Sequence, residues 1–257
     1  MAIDSKNLDD AFAALAAFDW GKDAAPLAAI DAATIATRGD AALRADLEKR
    51  LGAVLSSSAT THGHAAIAPS RAAKDYACRK LSIIGTAASV PVAAALLSDA
   101  DNSHMARYAL QRIGGPEARS ALRRALETVK GDLAIGMISS LADLADAGSV
   151  PQLAKLLTAD GPLALAAARA LGRIPTSESA AALAGAKVGG EVGRAVKDAQ
   201  LSIAESRLSA ADRAGALALY EAVSKEVGEV PAGHRDREVR VAAIRGMVTT
   251  RDETSSS

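Results

Sequence analysis

Aromatic side chains make up only 2% of the 257 residues, although 49% of the chain is hydrophobic. A conventional globular core of this length draws on many aromatics. The apolar residues here are overwhelmingly Ala and Leu, with Val and Ile behind them. Ala and Leu are strong helix formers, and the small Ala side chain lets helix axes approach closely without voids. The composition therefore predicts layered helices and argues against a sheet-based core.

Cysteine is nearly absent too. The lone Cys78 excludes an intrachain disulfide framework, and its place in a helical apolar pattern predicts a small packed residue. Net charge is also lacking: 30 Lys and Arg balance 30 Asp and Glu, so no overall field draws the chain to nucleic acid or an anionic membrane. No apolar run approaches the roughly 20 residues of a membrane-spanning helix. The opening Met1-Ala2-Ile3-Asp4-Ser5-Lys6 has no basic stretch leading into an apolar one. The expectation is a cytoplasmic protein as the chain stands, or an exported or periplasmic one if it is trimmed from a longer chain.

What is present is a repeat. Four segments align, each ending a predicted helix: Tyr76–Gly85, Met105–Gly114, Gly136–Ala145 and Ala166–Pro175. Their key leucines, Leu81, Leu110, Leu141 and Leu171, step by 29, 31 and 30 residues. Apolar residues three or four positions before each leucine, and three after it, lie on one helix face. Gly85, Gly114 and Gly148 are expected to stop the first three helices and Pro175 the fourth. Second apolar runs follow at 90–97, 116–126, 150–157 and 179–183, several opening on a proline suited to a first helical turn. Asp99, Asp101, Asp132 and Asp160 fall between units, where they are expected to cap the next helix. A fifth step reaches Leu201, and 212–223 and 238–247 read as further helices, the last without a second helix to cover it. One helix pair cannot bury its apolar face alone, so neighbours must stack.

The predicted organisation is a single continuous solenoid domain. Residues 1–55 form an N-terminal helical cap of three helices (8–18, 26–36 and 41–55), and 56–70 an exposed loop. Residues 71–250 form the repeat array, and 251–257 a flexible tail.

The run Ala109-Leu110-Gln-Arg-Ile113-Gly114 and the opening Val239-Arg240-x-x-Ala243 resemble the short HEAT-like repeats of phycobilisome-lyase type. The run 78–91 with 105–110 also resembles HEAT-repeat proteins of planctomycete-type bacteria. The resemblance implies an all-α fold, an α/α superhelix, and carries no catalytic motif with it. A period near 30 fits this short class rather than the roughly 40–47 residues of the longer HEAT unit. The arginine such repeats place early in the first helix appears clearly only as Arg240; the matching positions are Lys74, Ser103 and Ala164. Ankyrin, leucine-rich and tetratricopeptide repeats are disfavoured because their signature residues are missing.

Candidate site residues are few. Arg119 and Arg123 sit at i and i+4 on one helix face, beside Arg124, with Arg107 and Arg112 on the preceding helix. The resemblance implies that second helices line a concave face, which makes these five arginines the expected partner-binding surface; a solvated face balanced by Glu117, Glu127 and Asp132 is the plainer alternative. His62 and His64 form the most metal-like pair, without the four ligands of a structural zinc site. His104 near Asp101 and His234 near Asp236 lie at helix starts. The glycine-rich 185–193 stretch lacks a phosphate-loop ending and reads as a repeat connection. No nucleophile stands in an activating setting.

The expected function is a non-catalytic protein-binding scaffold with no cofactor, not an enzyme. Its partner is another protein or a neighbouring domain of a longer chain, with no nucleic acid and no membrane insertion. The alternatives are a structural spacer or accessory domain of a larger exported enzyme, and a HEAT-like lyase or nucleic-acid-acting enzyme.

Overall fold

A computed structural model describes residues 5–57, 60–62, 65–159, 161–229 and 236–252. The fold is all-α apart from one short hairpin, and the chain forms two compact units, 1–140 and 141–257.

The first unit opens with α1 (Ser5–Ala16), α2 (Ala28–Ala36) and α3 (Ala41–Ser56), near the predicted cap helices. Asp40 caps α3, its Oδ1 accepting from Leu43 N at 2.9 Å. The segment expected to be loop holds a two-stranded antiparallel hairpin, β1 (Thr60–His62) with β2 (Ala65–Ile67), in the register Thr60↔Ile67 and His62↔Ala65. Thr60, Thr61 and Ile67 are β-branched and suit an extended backbone. Then follow α4 (Arg71–Ile84), α5 (Val90–Ala94), α6 (Ser103–Ile113) and α7 (Gly115–Thr128). Helix α8 (Gly131–Asp143) begins in this unit. Within it α4 packs on α6 and α5 on α7, so first helices form one layer and second helices another. Leu81 and Leu110 have no solvent exposure, and burying each such side chain contributes about 1.5–3 kcal/mol.

The second unit continues with α9 (Val150–Leu156), α10 (Gly161–Gly172), α11 (Ser177–Ala184), α12 (Gly190–Ser209), α13 (Arg213–Val227) and α14 (Arg237–Asp252). Leu141 and Leu171 are again fully enclosed. The glycine-rich stretch serves as the connection expected of it: Gly189 is the N-cap of the 20-residue α12. A cluster of Leu201, Ala204, Ala216, Tyr220, Val223, Val239 and Ala243 holds α12, α13 and α14 together.

Two expectations about helix ends need correction. Gly148 does not stop α8; the chain turns at Ala145 in the left-handed region (φ 46°), and Asp146 N donates to Leu141 O at 3.0 Å. That six-to-one bond is a Schellman ending. Ala211 (φ 63°) ends α12 in the same way, with Asp212 N donating to Arg207 O. Nor does Asp99 cap α6. Its carboxylate accepts from Asp101 N and Asn102 Nδ2 in the preceding turn, and those bonds hold its pKa below the usual carboxylate value. Asp132 lies in the first turn of α8, and Asp160 falls outside the described residues.

Candidate functional site

The repeat period appears physically in ion pairs. Arg71 Nη1 lies 3.5 Å from Asp101, Arg251 Nη2 lies 2.7 Å from Glu221, and Arg173 pairs with Asp143. Each pair spans 30 residues, one step of the array. Exposed pairs of this kind each add about 0–1 kcal/mol, so they mark the register more than they stabilise it.

The five predicted arginines differ in their settings. Arg107 is committed to the fold: its Nη1 donates to Gly136 O at 3.1 Å and to Ser140 Oγ at 3.2 Å on α8. Gly136 makes room for it, since a Cβ there would lie 2.7 Å from Arg107 Cζ. Its Nη2 also meets His104 Nδ1 at 3.4 Å, while Asp101, near His104 in sequence, pairs with Arg71. Arg119 and Arg123 are half-buried on α7, whereas Arg112 and Arg124 are exposed. Arg124 borders a small groove of about 230 Å³ with Ala94, Leu97, Ala121 and Thr128.

The metal-like pair falls largely out of view. His64 and His234 lie outside the described residues. Among the described residues no three His, Cys, Asp or Glu side chains gather closely enough to hold a metal ion. Cys78 is buried as expected, at 1% exposure, and burial with the nearby Asp75 charge pushes its thiol up to about 12. A thiol kept protonated is a poor nucleophile. Labelling by a disulfide reagent near pH 8 should therefore be slow in the native protein and complete on denaturation; fast native labelling would contradict this burial.

A larger groove, which sequence reasoning missed, lies in the second unit between α10 and α12. It encloses about 590 Å³ and is lined by Leu165, Arg169, Gly172, Arg173, Glu191, Arg194, Asp198 and Ser202 among others. Its floor follows from small residues: a Cβ on Gly172 would fall 2.8 Å from both Cα and Cβ of Ala199. The two helices touch there, and their longer side chains rise on either side. Leu165 and Arg169 share a face of α10, with Arg173 in the turn just after it, and Glu191, Arg194, Asp198 and Ser202 follow at three or four residues on one face of α12.

Much of this lining is unspent. Arg169, Glu191 and Asp198 make no hydrogen bond or ion pair among the described residues. Arg194 Nε lies 3.8 Å from Asp236, beyond hydrogen-bond length, and has no acceptor among the described residues. Only Arg173 is firmly paired, with Asp143. Burial raises the pKa of Asp198, Arg194 and Arg169 pull it down, and Asp236 and Glu238 push it up, leaving it above the ordinary carboxylate value. Opposed charges held on a partly enclosed surface without internal partners are the makings of a polar recognition site.

Comparison with known proteins adds one finding. No family model matches the chain, and no curated protein matches it. A solved lyase structure is similar. It is the complex of CpcE and CpcF of phycocyanin lyase from Nostoc sp. PCC7120, at 16% sequence identity over 93% of each chain, with a TM-score of 0.41. The likeness transfers no residue role. It does correct one expectation: the similar protein belongs to a lyase, so the missing catalytic motif is no ground for reading this chain as not an enzyme. The narrower resemblance to planctomycete-type proteins finds no support in these comparisons. Among the described residues no helix is long and apolar enough to cross a membrane.

Proposed function

We propose that this chain is a helical-repeat scaffold that binds another protein, with the α10–α12 groove as its docking site. The observation that carries the reading is the set of charged side chains around that groove: Arg169, Glu191 and Asp198 make no side-chain hydrogen bond or close ion pair among the described residues. Arg169, Glu191 and Asp198 are exposed, so they are free to contact a partner at the groove's edge. Stacked repeats also offer continuous faces longer than any one helix pair.

A second reading places the partner on α7, where Arg124 is exposed beside its small groove and Arg119 and Arg123 follow the same helix. One experiment separates the two. Because Cys78 is buried, a cysteine placed at Ser202 or at Glu127 is the only reactive thiol and takes a photo-crosslinker selectively. The chain is then returned to an extract of its own cells. Crosslinks to one protein from position 202, lost on combining Arg169→Glu with Arg194→Glu, support the groove. Crosslinks from 127 alone transfer the function to α7, and none from either position overturns the scaffold reading.

A further inference from the structure

Helix α14 carries two apolar faces, and the fold uses one of them. Val239 and Ala243 pack into the α12–α13 core, and a Cβ on Gly246 would overlap the Tyr220 ring, which pins that side against α13. On the opposite side Val241, Ile244 and Val248 form a stripe at three- and four-residue spacing, each 39–52% exposed. Three large apolar side chains gathered in water mark a docking surface, where single ones would mean nothing. The charge of this helix is lopsided: Arg237, Arg240, Arg245 and Arg251 stand against Glu238 and Asp252. Arg237 and Arg245 flank the stripe, are exposed, and make no side-chain hydrogen bond or ion pair among the described residues.

A complementary surface lies in the first unit. A groove of about 410 Å³ runs between α1 and α3, lined by Ala13, Ala16 and Ala53 with Phe12 and Val54, and bordered by Asp9 and Arg50. Asp9 and Asp46 both bond to Arg50, two carboxylates on one guanidinium. Over residues 1–56 nine acidic side chains stand against six basic ones. The groove is thus apolar with small walls and an acidic setting, where the α14 face is apolar with large side chains and arginine flanks. Their lengths agree too: Asp9 to Ala16 and Val241 to Val248 each advance seven residues, about 10 Å of helix.

We infer that the chain binds a second copy of itself head to tail, the α14 face of one copy seated in the α1–α3 groove of the next. Val and Ile over a floor of alanines is the large-on-small fit by which helices pack closely, and the arginines beside the stripe meet the acidic side of the first unit. A symmetric pairing of α14 with α14 is disfavoured because it sets arginines against arginines. The contact is heterologous, so every copy offers one face of each kind, and association proceeds until a ring closes or a row of copies grows. It does not rest on the α10–α12 docking site.

The test follows the full chain by sedimentation velocity from about 5 µM to about 500 µM, the range in which small interfaces associate. The parent's sedimentation coefficient should rise with concentration. Ile244→Glu puts a charge in the stripe and Ala13→Glu puts one in the groove. Both positions are exposed, so circular dichroism and Tm should match the parent's. Each variant alone should stay monomeric. Combined in equal amounts they should give a 1:1 heterodimer and nothing larger, because the first keeps an intact groove and the second an intact stripe. Arg237→Glu with Arg245→Glu should weaken the parent's association at least about tenfold in low salt, and by less at about 0.5 M salt, where screening acts within about 4 Å. Arg124→Glu, on α7, should leave it unchanged. A parent that remains monomeric at every concentration overturns the inference. So does an Ala13→Glu chain that associates like the parent, since α14 would then be meeting some other surface. A combination of the two blocked variants that stays monomeric overturns it as well, as do equal losses from Arg124→Glu and the α14 arginine pair.

Discussion

Replacing Glu48 by Ala is expected to lower the free energy of unfolding by about 3 kcal/mol, the sum of partly relaxed losses at two or three buried donors. Glu48 lies on α3 at 8% exposure and accepts from Thr86 N at 2.7 Å, Thr86 Oγ1 at 2.8 Å and Ser89 Oγ at 2.5 Å. One turn earlier Arg44 donates from Nε to Ile84 O at 2.6 Å. Helix α3 therefore clasps the link from α4 to α5 by one acceptor and one donor. Ser89 is only 2% exposed, so its hydroxyl has no water to turn to when the carboxylate is gone. Glu48→Gln keeps one acceptor oxygen and should cost about half as much. Chemical denaturation of the three proteins checks the order.

The same residue makes a pH prediction. Burial alone would raise the Glu48 pKa, but bonds from Ser89 and Thr86, with the Arg44 charge, outweigh it and hold the group below the usual glutamate value. A lowered folded pKa contributes stability that is complete above the unfolded value of about 4.3 and is lost as pH falls through the folded value. The stability gap between the parent and Glu48→Gln should stay level above about pH 5 and close as pH drops below about 4. A gap that widens on acidification would mean the carboxylate is not held as described.

Gly172→Leu is the second large effect, expected to cost about 3 kcal/mol or more because the helices have no room to part without losing their contacts. Even Gly172→Ala places its Cβ 2.8 Å from Ala199 Cα, a backbone atom that moves only with α12, and should cost about 2 kcal/mol. Gly136→Ala offers an instructive contrast. Its Cβ would meet Arg107 at 2.7 Å, but that is the far end of a flexible side chain. The guanidinium swings away for the loss of two hydrogen bonds, roughly 1 kcal/mol after water replaces them. Thermal unfolding should rank the variants Gly136→Ala, Gly172→Ala, Gly172→Leu in rising cost. Because Gly172 forms the groove floor, its leucine variant should also block crosslinking from position 202.

One apolar face of α14 is open to solvent. Val241, Ile244 and Val248 follow at helical spacing along α14 and are 39–52% exposed, while Val239 and Ala243 on its other side pack into the α12–α13 core.

Helices and their period were legible because both are local or repetitive properties. Ala and Leu at three- and four-residue spacing specify a helix wherever they occur, and four leucines about 30 apart specify units that must stack. The burial of Leu81, Leu110, Leu141, Leu171 and Cys78 follows from that pattern. What the pattern could not carry is the fate of each polar group, which depends on what the neighbouring repeat places opposite it. Arg107 reads like Arg112 and Arg124 in a one-dimensional string, yet a glycine 29 residues later gives it a slot and two acceptors. Ala145 and Ala211 carry no turn signal; the surrounding packing holds them in the left-handed region, at about 1–2 kcal/mol each. Local sequence thus determined the helices, their apolar faces and their spacing. Only the tertiary structure decided which charges are consumed by the fold and which, around the α10–α12 groove, stay unpaired among the described residues, because pairing is settled by distances of a few ångströms between segments far apart in the chain.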